Sequence, residues 1–159
     1  AVSEVELARR KELFDDAISS TKAAVAEGIV PGGGAALLRI VPAVLGEAET
    51  LDGAERVGAE TLARALEEPI RQLARNAGVD EGVVLERVRT ATGFHGFDAS
   101  TREYGDLEAL GIIDAAKVVR VALSNAVSVA ATLLLTEATL TDIEDEPVTP
   151  PVPPMPDMM

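Results

Sequence analysis

Cysteine and tryptophan are absent from this chain, which carries one tyrosine, three phenylalanines and one histidine. Without cysteine there is no disulfide framework, no thiolate nucleophile and no thiolate metal site. The single histidine, His95, excludes zinc centres built from several imidazoles and makes a Ser-His-Asp triad a poor candidate. With aromatic residues at 3%, a core has to be assembled from Ala, Val, Leu and Ile, which favours closely packed helices over an aromatic-rich sheet. Positive charge is also scarce: 14 Lys and Arg face 27 Asp and Glu, a formal net charge of -13. Such a surface repels nucleic-acid phosphates and anionic lipid, so neither nucleic acid nor membrane is expected as a partner. No long apolar run is uninterrupted. The most apolar stretch, Val118 to Leu135, contains Arg120, Ser124, Asn125, Ser128 and Thr132, and is expected to be a buried helix rather than a membrane span. The first six residues, Ala1 to Glu6, are acidic and lack a basic-then-apolar signal pattern, so a cytoplasmic location is expected.

What is present is helical periodicity. Ser3 to Glu27 contains no Gly or Pro, and Phe14, Ala17, Ile18, Thr21, Ala24 and Val25 recur at helical spacing. This predicts a long amphipathic helix ended by Gly28 at the C-cap. A helix over Ala35 to Val41 follows, and Gly46 to Gly53 reads as a polar connection. Asp52 is a candidate cap for the next helix, from Ala54 onward, Pro69 starts another, and Asp80 precedes a short one at Glu81 to Arg89. The Gly-punctuated stretch Gly93 to Thr101 predicts a short strand or hairpin arm. Asp114 is a plausible cap for an apolar helix over Ala115 to Thr136, with a brief strand expected at Ala138 to Thr141. From Asp142 the composition turns acidic and Pro-rich, as in Glu144-Asp145-Glu146-Pro147 and Pro150-Pro151-Val152-Pro153-Pro154. That composition predicts a disordered tail.

Between the first two helices lies Pro31-Gly32-Gly33-Gly34. Glycines before a helix start let another group approach the backbone, and free N–H groups there favour an anion. The loop lacks the Lys-Ser/Thr ending of a P-loop and the spacing of a dinucleotide fingerprint, so a flexible turn between helices is an equal reading.

Three stretches, in this order and spacing, resemble GroEL-type (group I) chaperonins. They are Phe14-Asp15-Asp16-Ala17 through Ala23-Ala24-Val25-Ala26-Glu27-Gly28-Ile29-Val30-Pro31-Gly32-Gly33-Gly34; Phe97-Asp98-Ala99-Ser100-Thr101 through Glu103-Tyr104-Gly105; and Gly111-Ile112-Ile113-Asp114 with Lys117-Val118-Val119-Arg120 on to Thr136-Glu137. The resemblance implies a mainly α fold, the C-terminal part of a subunit. Residues 1–27 would be the returning helix of the intermediate domain, 28–142 the second half of the equatorial ATP-binding domain, and 143–159 the tail. The Thr-rich phosphate loop and metal-binding aspartate of that family have no counterpart in these residues, so no metal ligand is expected here.

The resemblance further implies Asp16 as the catalytic aspartate that orients the water attacking the γ-phosphate. It implies Gly33 as the glycine packed on the nucleotide, and Asp98, Ala99 and Ser100 as the strip beside adenine. Asp114 would accept from the ribose hydroxyls. From the residues alone, Asp16 is a solvated charge on the polar face, about 200° round the helix from Phe14. Asp114 is equally a helix cap and Asp98 a turn residue. The family usually has Asn where Asp98 stands and Ala where Ser100 stands, and a carboxylate beside adenine can weaken nucleotide binding. Ala115 stands where Pro is frequent. The implied function is ATP-dependent protein folding with ATP and Mg, in heptameric rings with other subunits, a co-chaperonin and unfolded clients. The alternative is a stand-alone helical interaction module without nucleotide chemistry.

Overall fold

A computed structural model describes residues 3–141, in the order α1 (Glu4–Glu27), β1 (Ile29–Pro31), α2 (Ala35–Ala48), α3 (Gly53–Ala65), α4 (Glu68–Asn76), α5 (Glu81–Thr90), β2 (His95–Asp98), β3 (Glu103–Asp106), β4 (Ile113–Ala115) and α6 (Ala116–Leu134). The mainly α architecture expected from composition is the one found. Local chemistry sets most boundaries. The Ser3 hydroxyl accepts from the Glu6 amide at the start of α1, and the Asp80 carboxylate accepts from the Val83 amide at the start of α5. Pro69 sits in the first turn of α4, where its missing N–H is no loss. Gly28 closes α1, its N–H donating to the Ala24 carbonyl at 2.7 Å.

The core lies where α2, α4 and α5 meet the β2–β3 hairpin. Leu38, Ile70, Val84, Val88 and Leu107 are its largest fully buried side chains, joined by Phe97, and no polar side chain is buried among the described residues. Phe97 tilts against Tyr104 across the hairpin, with ring centroids 5.3 Å apart. On the surface Arg71 bonds Glu67 at 2.7 Å and approaches Glu81 at 3.5 Å, while Arg75 reaches Glu68 and Glu81, both at 2.8 Å. This network ties α4 to α5, although each exposed pair is worth no more than about 1 kcal/mol.

A second two-stranded sheet closes the molecule. β1 and β4 run antiparallel, pairing Ile29 with Ala115, Val30 with Asp114 and Pro31 with Ile113. The pairing is extended at both ends by Gly32 N to Ile112 O and Ala116 N to Gly28 O, each 3.0 Å. Just beyond it, Gly34 has φ +76°, and a Cβ there would lie 2.9 Å from the Ile70 nitrogen. Only glycine meets both conditions.

Several expectations are corrected. α2 runs on through Pro42 to Ala48 instead of ending at Val41, shortening the polar connection. Asp52 stands at the cap position of α3 but makes no side-chain cap bond, and the helix begins at Gly53. Asp114 lies in β4, paired with Val30, and does not cap α6, because Ala115 holds the cap position. Ala138 to Thr141 forms no strand. α6, expected to be buried, has no buried residue, and neither has α1, where Phe14, Ile18 and Val25 are exposed. By length and composition α6 could cross a membrane, but Arg120, Asn125 and the interspersed hydroxyls fit a water-soluble packing helix better. The acidic Pro-rich stretch expected to be disordered lies outside the described residues.

α1 is held to the rest of the chain at its C-terminal end. The Arg120 guanidinium donates to both carboxylate oxygens of Glu27, Nε to Oε2 at 3.0 Å and Nη2 to Oε1 at 2.6 Å. That pairing holds the Glu27 carboxyl below its ordinary value of 4.5. A depressed folded-state value stabilises the docked helix above the ordinary value and loses that contribution as pH falls through the lowered one. The Gly28 amide shift should therefore be steady near neutrality and move below about pH 4. In Arg120→Ala it should start displaced, and the acid transition should move up toward the ordinary carboxyl value of 4.5; an unchanged acid transition in that variant would remove the pair from the docking.

The close approach at Gly34 sets a second expectation. Gly34→Ala should destabilise by about 2–4 kcal/mol, combining positive-φ strain with backbone overlap. Gly46→Ala, within α2 and with nothing within 4 Å of where its Cβ would stand, should stabilise by about 0.5–1 kcal/mol. Urea unfolding of the two variants measures the difference.

Candidate functional site

The glycine turn is the point at which the three sequence-identified stretches meet. Gly32 packs under Ile112, a Cβ at that position coming within 3.0 Å of the Ile112 carbonyl oxygen. Gly33 adopts φ +62° and lies against β2, its Cβ direction 3.4 Å from the Phe97 carbonyl oxygen. Asp114 faces Val30, just before the turn. The turn therefore sits between Asp114 on one side and the Phe97–Asp98 segment on the other. Gly33 thus lies against the residue before Asp98, and Asp114 against the residue before Pro31.

From this turn α2 departs without a side-chain cap. The Ala35 amide donates to the Gly32 carbonyl at 3.1 Å and the Leu38 amide to the Gly34 carbonyl at 3.2 Å. The amides of Ala36 and Leu37 between them have no acceptor among the described residues. Two free N–H groups and the positive end of a 14-residue helix make this a place that favours an anion.

Asp98 is half-buried at the end of β2. Its Oδ1 accepts from the Ser100 amide at 2.8 Å and its Oδ2 from the Thr101 hydroxyl at 2.9 Å. The Ser100 amide bond is the main reason its carboxyl lies below the ordinary 3.8, with the Thr101 hydroxyl second. The Arg102 amide donates to the Asp98 carbonyl at 2.8 Å, and Arg102 itself has φ +62°. Ala99 is half-buried and Ser100 exposed. The Asp114 side chain is exposed and makes no hydrogen bond among the described residues, so its oxygens are free to accept.

Asp16 is not part of this cluster. It is exposed on α1 and makes no ion pair or hydrogen bond among the described residues. It stands twelve residues before Gly28, about 18 Å along the helix axis from the end of α1. Only the last turns of α1 are partly covered, at Ala23 and Ala24.

Three residues of this region escaped the sequence reading. Thr101 carried a usable signal, since Asp-x-x-Thr is a local turn pattern. Glu27 and Arg120 carried none, because their pairing depends on how α1 and α6 come together. Among the described residues no group of three or more His, Asp or Glu is placed to hold a metal ion. Away from the turn, a groove of about 520 Å³ runs between α3, α4 and α6, from Val119 to Leu134, and no charged residue lines it.

Residues 1–144 match the model of the TCP-1/cpn60 chaperonin family. The chain is 59% identical over 145 residues to Chaperonin GroEL 5 of Bradyrhizobium diazoefficiens, covering 91% of this chain and 27% of that protein. It thus spans about a quarter of the length of that curated relative. Among solved structures, a group III chaperonin crystallised in the open state superposes with a TM-score of 0.78 at 32% identity, over 88% of this chain and 29% of the other. An open-state monomer of a group II chaperonin from Methanococcoides burtonii gives a TM-score of 0.63 at 25% identity, over 68% of this chain and 28% of the other. With the family model matching residues 1–144 and the fold matching solved chaperonins, the chain belongs to the TCP-1/cpn60 chaperonin family.

Proposed function

We propose that these residues supply the adenosine-facing half of an ATP site in a chaperonin that assists protein folding. The observation that carries this reading is the convergence of Gly33, Asp98 to Ser100 and Asp114 on the uncapped start of α2. The free Ala36 and Leu37 amides suit an anionic group, and the unpartnered Asp114 carboxylate suits a pair of vicinal hydroxyls. ATP with Mg fits this donor set only in part. Acceptors for ribose and amides for an anion are present, whereas ligands for the cation are expected from sequence outside these residues.

In this reading residues 1–27 form a hinge helix of the intermediate domain and residues 28–142 half of an equatorial domain. The hinge lies at Gly28, and Asp16 reaches the reacting phosphate only when α1 swings in. When bound, ATP supplies the phosphoryl group; the chain orients its adenosine end and delivers the carboxylate that positions water. Assembly in a ring with other subunits, a co-chaperonin and unfolded clients belongs to the same proposal, as does a cytoplasmic setting. The uncharged groove beside α6 favours a second reading, a helical interaction module with no nucleotide chemistry.

Two assays bear on the leading reading. The 159 residues assayed alone should hydrolyse ATP no faster than background, because phosphate-cradling and cation-binding groups are needed together with the water-orienting one. In a full-length subunit, Asp16→Ala should leave nucleotide affinity nearly intact while slowing single-turnover hydrolysis about a hundredfold or more. Asp15→Ala, its exposed neighbour, should turn over near normally. Equal rates for the two variants would take Asp16 out of the site.

A further inference from the structure

Asp98 presents a chemical puzzle that its surroundings resolve. Both of its partners are donors: the Ser100 amide at 2.8 Å from Oδ1 and the Thr101 hydroxyl at 2.9 Å from Oδ2. A carboxylate accepts at both oxygens, whereas an asparagine side chain accepts at one and turns its own NH2 toward the other donor. A threonine hydroxyl donates or accepts, so a side chain with an acceptor for the fixed Ser100 amide and a polar partner for Thr101 fastens this turn, and an aliphatic one cannot. The turn needs such a fastening. It ends in Arg102, whose φ of +62° is disfavoured for any residue with a Cβ. Its last backbone bond, Arg102 N to Asp98 O, returns to the same residue.

We propose that Asp98 and Thr101 form a positioning clamp that fixes the Ala99–Ser100 backbone for the nucleotide, with the Asp98 carboxylate engaged inside the turn rather than on the base. The clamp rests on the nucleotide-site reading given above and adds Thr101, a residue outside it. Within the described residues the Ala99 amide and the carbonyls of Ala99 and Ser100 make no hydrogen bond. Those are the groups the clamped turn leaves without a partner among the described residues. Both carboxylate oxygens are thus engaged within the turn. Thr101 is a positioning residue, acting through Asp98.

The test is a titration of N-methylanthraniloyl-ADP into the 159-residue chain and its variants. Thr101→Val should weaken binding about fivefold, the effect of one hydrogen bond, and Asp98→Ala, which removes both acceptors, by at least that factor. Thr101→Ser, which keeps the hydroxyl, should restore the original affinity. The near-ultraviolet signal of the Phe97–Tyr104 pair checks that the hairpin persists in each variant. If the original chain binds and Asp98→Ala binds equally or more tightly, the clamp is wrong while the site stands. Unchanged affinity in Thr101→Val has the same meaning. If the original chain fails to bind, both the site and the clamp's role in it fall. Loss of Ser100 amide protection in Asp98→Ala reports the clamp itself, independent of any ligand, and undiminished protection there would overturn it.

Discussion

The antiparallel pairing of β1 with β4 is the contact on which the candidate site depends. It joins residues 29–31 to residues 113–115, and so brings the segment after α1 against the segment before α6. Three residues a strand is little by itself, and a ribbon of that size is not stable alone. It is held from outside by the Gly32–Ile112 and Gly28–Ala116 bonds, by the Glu27–Arg120 pair, and by the backbone contact of Gly34 with Ile70. The last of these passes the constraint into the core, because Ile70 is fully buried among α2, α4 and α5. Loosening this junction would part Asp114 from Gly33 and move the start of α2 away from the hairpin. The site is a property of the junction, not of any one element.

Much of this was legible in the sequence where the determining chemistry is local. Ser3, Asp80 and Pro69 act within one turn of themselves, and Gly28 needs only its own helix, so the corresponding helix ends fall where expected. The hairpin followed from the glycines around Phe97. Asp114 misled, because an aspartate before a helix normally caps it. Here the strand partner, β1, comes from the far end of the chain and decides the conformation. Pro42 was a weaker barrier than its reputation suggests, since the α2 face carrying Leu38 and Val41 packs into the core and holds the helix across the missing bond. The meeting of the three stretches was implied by resemblance alone; periodicity could not show it.

The apolar faces behave differently. α1 and α6 both carry the spacing of packed helices, yet neither buries a residue among those described. Periodicity reports that a face is apolar, not that a partner is present. The uncharged groove between α3, α4 and α6 is the same fact seen from the other side. In a chain with a net charge of -13, a groove free of charge is a surface shaped for contact with another apolar surface. Relatives several times longer than this chain have ample sequence from which a cover could come.

The central claim is that nucleotide meets this chain at the glycine turn. Amide chemical-shift mapping of the isotope-labelled chain during addition of ADP tests it most directly. The account predicts perturbations centred on Gly33, Ala36, Leu37, Ala99, Ser100 and Asp114, with Asp16 and the α6 residues Val119 to Leu134 unaffected. Shifts clustered along Val119 to Leu134, or none at the glycine turn at saturating ADP, would contradict it.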